Sequence, residues 1–180
     1  MAKTIPNTFH SVYPGLAREL VNEVKLSKPL PNAKTILTRA LWDTGATGSA
    51  ITPSVVKKLN LSPTGVTTVK GVGSESQRST YLIHLHLPNR MVVGPLKVTE
   101  CDELKADKSV GILVGMDVIG IGDFAVSNYN GRTSFTFRYP SQKETNYVDE
   151  ANAAHRPIAS ARKEGLKKMA QNVRNKKRKR

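Results

Sequence analysis

The segment Leu41-Trp42-Asp43-Thr44-Gly45-Ala46-Thr47 places a carboxylate where acid–base chemistry could use it. An apolar run ends in an acidic residue, and a small hydroxyl residue and a glycine follow at once, so the acid falls at a tight turn just outside a core. A plainer role is open to the same residue, because most Asp-x-Gly sequences are turns in which the side chain accepts from its own backbone. The other reactive residue types are less well placed. His84 and His86 stand two apart on a strand-like stretch and share a face, which makes at most half a metal site, and solvent-facing histidines are the better reading. Cys101 precedes Asp102-Glu103, and acidic neighbours raise a thiol pKa, which argues against a nucleophile. Gly71-x-Gly73 lacks the third glycine and the following helix of a dinucleotide fingerprint.

The elements that must position Asp43 read mostly as strands. Leu20 to Leu26 fits a helix stripe or a strand, and the turn-like Pro29 to Asn32 with a strand after it favours the strand. That next strand, Thr35 to Trp42, is rich in β-branched and apolar residues and enters the core. Thr52-Pro53-Ser54 starts a short helix running to Leu59, with Thr52 as the side-chain cap. Val66 to Lys70 and Tyr81 to Leu87 form a long hairpin whose bend holds Gly71, Gly73 and Ser74. Met91 to Cys101 is another strand region, Asp102 to Lys108 a charged loop, and Val110 to Val114 a buried strand. Asp123 to Tyr129 and Arg132 to Arg138 flank Asn130-Gly131, the pair best suited to a two-residue turn. The domain is therefore mostly β with one or two short helices.

Taken together, Asp43-Thr44-Gly45-Ala46 after an apolar strand, a glycine-tipped hairpin some thirty residues on, and Leu113-Val114-Gly115 before a helix-like stretch resemble the retropepsin-like aspartic proteases. The string Val114-Gly115-Met116-Asp117-Val118-Ile119-Gly120-Ile121-Gly122-Asp123-Phe124 is similar to the bacterial retroviral-protease-like members of that family. The resemblance covers residues 20 to 138 and implies an all-β fold, half of an acid protease built as a closed β-barrel with short helices. It implies an aspartic endopeptidase that needs two such aspartates; the chain has a single Asp-Thr-Gly, so the expected active form is a homodimer in which each protomer contributes Asp43. Thr44 would lock the two turns together, with Gly45 and Ala46 completing the active-site turn. Lys70, Gly71, Val72, Gly73 and Ser74 would form the tip of a substrate-covering flap, and Gly115 would let its strand pass close to the catalytic turn. No metal or organic cofactor is expected, and the substrate is a polypeptide. Two differences stand out: Thr47-Gly48-Ser49 replace the acidic residues that hold the substrate backbone in retroviral members, and Met116-Asp117 replace their Arg-Asn pair.

The charge is unevenly placed. The 180 residues carry 28 Lys plus Arg against 14 Asp plus Glu, a net +14. Residues 141–180 hold 12 of the basic and 4 of the acidic groups, more than half of the excess. This divides the chain into an irregular N-terminal arm (1–15), a protease-like domain (16–140) and a basic tail (141–180) that is either a marginal helix or disordered. Residues 156–180 could contact nucleic acid or an acidic partner weakly and nonspecifically, or simply stay solvated; the lack of interleaved aromatics excludes a stacking platform. One cysteine excludes an internal disulfide. With no apolar run long enough to span a bilayer and no apolar leader, a soluble, cytoplasmic protein with no membrane association is expected. The competing functions are a non-catalytic dimerisation or binding module on the same fold and a nucleic-acid-binding protein acting through its tail.

Overall fold

A computed structural model describes residues 5–71 and 74–177. The chain divides into two compact units, Met1–Gln142 and Lys143–Arg180. The first contains β1 (Asn7–Val12), β2 (Leu20–Ser27), β3 (Thr35–Trp42), β4 (Ala50–Ile51), α1 (Pro53–Leu59), β5 (Gly65–Gly71), β6 (Ser74–His86), β7 (Val92–Glu100), β8 (Val110–Val114), α2 (Met116–Ile119), β9 (Asp123–Ser127) and β10 (Ser134–Tyr139). The second is one helix, α3 (Tyr147–Lys177).

Seven strands form one sheet in the order β2-β3-β8-β4-β7-β6-β5, and an added β2–β6 pairing closes six of them into a barrel. Closure rests on Leu26 meeting Leu85, flanked by Lys25 opposite His86 and Ser27 opposite His84. Alternation dictates which side faces in: Ile83 and Leu85 along β6, and Val24 along β2, are buried while the neighbours on either side are more exposed. Full burial of each such side chain contributes about 1.5–3 kcal/mol. β8 lies inside the sheet, parallel to β3 and antiparallel to β4, and reads as a continuous buried run because α1 covers it. At Gly111 a Cβ would stand 2.4 Å from Thr38 Oγ1 and 2.6 Å from Val55 Cγ2, so the glycine lets helix and strand meet.

Thr52 precedes α1, with Pro53 in its first turn, but the Thr52 side chain makes no capping bond. It pairs with Ser54 Oγ at 2.9 Å instead. The Ser54 amide donates to Glu103 Oε1 at 3.1 Å, so a carboxylate from the charged loop 49 residues on satisfies that helix start.

Residues 7–12, expected as part of an irregular arm, form a strand. β1 pairs with β10, and β10 with β9, in a separate three-stranded antiparallel sheet. Only Phe9 of β1 is buried, so the strand carries almost no alternating apolar signal. Phe9, Phe135 and Phe137 pack with Phe124 and with Trp42 of β3, ring centroids lying 5.3–6.2 Å apart. Asn130-Gly131 does make the expected turn, with φ of 53° and 71° and a bond from the Arg132 amide to Tyr129 O. The β9–β10 ladder nevertheless opens before it, because the Thr133 backbone pairs with Tyr13 and Gly15 and its hydroxyl with Asn128 and Ala17.

Within the basic tail, Tyr147–Lys177 form α3. Asn146 Oδ1 accepts from the Val148 amide at 3.0 Å, and Asp149 and Glu150 occupy the first turn, where the helix dipole favours anions. The basic residues gather toward the opposite end. Among the described residues no helix is long and apolar enough to cross a membrane.

Candidate active site

Asp43 sits where β3 leaves the barrel, and its neighbours fix it from three directions. Its amide donates to Val114 O of the adjacent β8 at 2.9 Å. The preceding residue, Trp42, is buried; its ring lies nearly parallel to Phe124 with centroids 5.6 Å apart, and its Nε1 donates to Asn22 Oδ1 at 2.6 Å. On the far side the turn closes on itself: the Gly45 amide donates to Asp43 Oδ1 at 2.8 Å and the Ala46 amide to Asp43 O at 3.3 Å. One carboxylate oxygen therefore holds the turn, as the plainer reading of Asp-x-Gly expects. Among the described residues the other oxygen, Oδ2, has no hydrogen-bond partner. Asp43 is half-buried, Thr44 and Gly45 are exposed, and the Ala46 methyl adds no donor.

A second layer comes from α2. The Met116 amide donates to Ala46 O at 2.8 Å, so the turn and the helix start are stitched directly. At Gly115 a Cβ would lie 2.7 Å from both C and O of Gly48 and 2.9 Å from Ala46 O, all backbone atoms that have no rotamer to yield. The Asp117 carboxylate accepts from the Ser49 amide at 2.9 Å and from the Ser49 hydroxyl at 2.7 Å. The same hydroxyl oxygen accepts from the Gly115 amide at 3.1 Å. In the sequence Asp117 and Ser49 stand out only as departures from a retroviral pattern; their partnership spans 68 residues and leaves no local signal.

Above this layer, β5 and β6 run as a long antiparallel hairpin, with Lys70 opposite Glu75 and Gly71 opposite Ser74. The return strand begins at Ser74, seven residues before the expected Tyr81, because Ser74–Thr80 are polar and give no apolar alternation. Val72 and Gly73, expected at the tip, lie outside the described residues. Between the hairpin and the chain following Asp43 lies a cavity of about 630 Å³, bordered by Thr47–Ala50, Thr67–Val69, Ser76, Arg78 and the end of β7.

A carboxylate thus stands just past the end of a barrel strand, its turn tied to the parallel β8 and to the start of a short helix. Residues 32–118, from the turn before β3 into α2, match the family described as aspartyl protease. The matched segment of the β domain is similar to aspartyl proteases. Among solved structures, the retropepsin-like aspartic protease from Rickettsia conorii aligns at 15% identity over 77% of this chain and 98% of its own, with a TM-score of 0.48. No curated protein matches the sequence.

The remaining candidates fall outside this site. Cys101 donates its thiol to Ile51 O at 3.4 Å, and its pKa is raised to about 11, first by burial and then by Asp102. The acidic neighbours are legible in sequence; the larger cause, burial, is not. His84 and His86 are half-buried rather than solvent-facing, and His86 Nε2 shares a hydrogen bond of 2.9 Å with Ser27 Oγ. Burial, then His84 and Lys25, lowers the His86 pKa. Among the described residues no three His, Cys, Asp or Glu side chains gather as a metal site.

Proposed function

We propose that this protein is an aspartic endopeptidase that acts as a homodimer, with one Asp43 from each protomer. The observation that carries the reading is the Asp43 turn. A single carboxylate is pinned through one oxygen, has no partner on the other among the described residues, and is followed by an exposed Thr44 and Gly45 against which a second copy of the same turn could dock. A symmetric interface of this kind places the two carboxylates beside the dyad axis.

Two carboxylates in contact cannot both ionise easily and share one proton. The ionised Asp43 takes a proton from the water between them as that water attacks the peptide carbonyl carbon. The protonated Asp43 donates to the carbonyl oxygen. Collapse of the tetrahedral intermediate returns a proton to the leaving amine and splits the C–N bond, leaving one carboxyl protonated for the next cycle. The β5–β6 hairpin is the flap in this reading and covers the polypeptide.

The test is cleavage of a peptide library by purified full-length protein, with Asp43→Asn and Asp43→Ala in parallel. Both variants should lose cleavage and remain dimeric by sedimentation. A wild-type dimer that cleaves nothing between pH 4 and 7 would favour a binding module on the same fold. Cleavage that persists in both variants would remove Asp43 from the chemistry.

A further inference from the structure

The cavity beside the catalytic turn has a charge pattern that bears on which polypeptides it accepts. Its charged lining residues, among those described, are Arg78, Asp102 and Glu100. Arg78 is already engaged: its guanidinium donates to the two Asp102 oxygens at 3.0 and 3.3 Å and to Ser76 Oγ at 3.2 Å. That ion pair is neutral as a unit and sits toward solvent, with the Asp102 side chain 83% exposed. Glu100 is different. It is half-buried at the end of β7, held in place by the Tyr81 hydroxyl, which donates to Oε2 at 2.7 Å, and among the described residues it has no cation beside it. Tyr81 is itself buried, and desolvation followed by the Glu100 carboxylate raises its pKa, so the phenol stays a neutral donor.

Hydroxyl side chains supply most of the remaining wall, notably Thr67, Thr68 and Thr99, with Ala50 and Val69 as small apolar patches. An entering acidic side chain would meet a fixed carboxylate of the same sign. A large apolar one would strip water from Glu100 and offer nothing in return, which is costly for a charged group. A lysine or arginine can lay its methylenes along Ala50 and Val69 and bring its cationic head to Glu100.

We propose that this cavity is a side-chain subsite selecting lysine or arginine in the substrate, with Glu100 as the specificity-determining carboxylate. The proposal rests on the proteolytic reading above for its place in catalysis, but recognition can be measured apart from cleavage. Position-scanning decapeptide libraries would carry Lys, Arg, norleucine, citrulline or Glu at one fixed position and mixtures elsewhere. Each would be assayed for cleavage by the full-length wild type and for binding to the full-length Asp43→Asn protein.

At one position, Lys and Arg should exceed norleucine and citrulline by about tenfold, less in high salt. Glu100→Gln should bring that ratio below about twofold, and Glu100→Arg should turn the preference toward Glu. Cleavage with no basic preference at any position, or a preference unchanged in Glu100→Gln, overturns the specificity and leaves the protease standing. Selective binding of basic peptides by Asp43→Asn, together with no cleavage by wild type, supports the subsite and overturns the protease. Neither cleavage nor selective binding overturns both.

Discussion

Asp117 and Ser49 are joined twice, through the Ser49 amide at 2.9 Å and the Ser49 hydroxyl at 2.7 Å, and this pairing ties the segment after the Asp43 turn to α2. Ser49 is 2% exposed, so its amide has little access to water when the carboxylate is removed. Asp117→Ala should cost about 1–3 kcal/mol in chemical denaturation, and Asp117→Asn, which keeps an acceptor, about 1 kcal/mol or less. Because the same contacts set the position of the Asp43 turn, Asp117→Ala should also lower kcat by about tenfold with a smaller change in KM. Equal stability of both variants and the wild type would show that the pairing supports nothing.

Gly115→Ala tests the close approach of β8 and the turn. The added methyl would stand 2.7 Å from the Gly48 carbonyl, and nothing but backbone could move to make room. A loss of about 2–3 kcal/mol or more is expected, in the range of overpacked sites. Gly131→Ala is the control: its φ of +71° strains any side chain but its surroundings are open, so its cost should be smaller.

Asp123 should contribute to the acid sensitivity of the three-stranded sheet. Its carboxylate accepts from the Ser141 hydroxyl, from the Gln142 amide at 2.8 Å and from Arg138 Nε at 2.8 Å, and these bonds, in that order, hold its pKa well below the usual carboxylate range. A folded pKa below the unfolded one means the unfolded chain binds the proton more tightly. The stabilisation is therefore complete above the unfolded value, near pH 4, and declines as pH falls toward the folded one. Asp123→Asn should lower the melting temperature at pH 7 and flatten its fall below pH 4. A variant that parallels the wild type at every pH would refute the assignment.

The same contacts say where the tail can be cut. Truncation after Gln142 keeps Ser141 and Gln142 on Asp123 and should leave the melting temperature of the β domain nearly unchanged, whereas truncation after Pro140 should lower it. If α3 contacts nucleic acid through its basic residues, either truncation should also abolish retention on heparin and on single-stranded RNA at low salt. Retention of full-length protein should fall steeply with salt. Equal retention of truncated and full-length protein would place the polyanion contact elsewhere.

How legible this architecture is in sequence depends on the range of the interaction. The bounds of β3 and β8 can be read directly, because their apolar runs end at an acid and a glycine. The Asp43 turn is legible for the same reason. β1 is not, since Phe9 alone faces the core, and neither is the polar first half of β6, which lies in the hairpin arm and away from the barrel interior. Glu103 at the start of α1 and Asp117 on Ser49 act across 49 and 68 residues, and such contacts have no periodicity to read. Glu100 in the cavity is likewise hidden, because its meaning comes from Tyr81 holding it and from Arg78 being committed to Asp102.

The central claim is that each active site takes half of its chemistry from each of two chains. Mixing wild-type protein with Asp43→Asn at constant total concentration, after full subunit exchange, tests it most directly. If both Asp43 residues are needed, activity follows the square of the wild-type fraction, and an equal mixture retains about one quarter of the wild-type rate. Activity proportional to the wild-type fraction, with about one half remaining in the equal mixture, would mean that a single Asp43 suffices and would contradict the account.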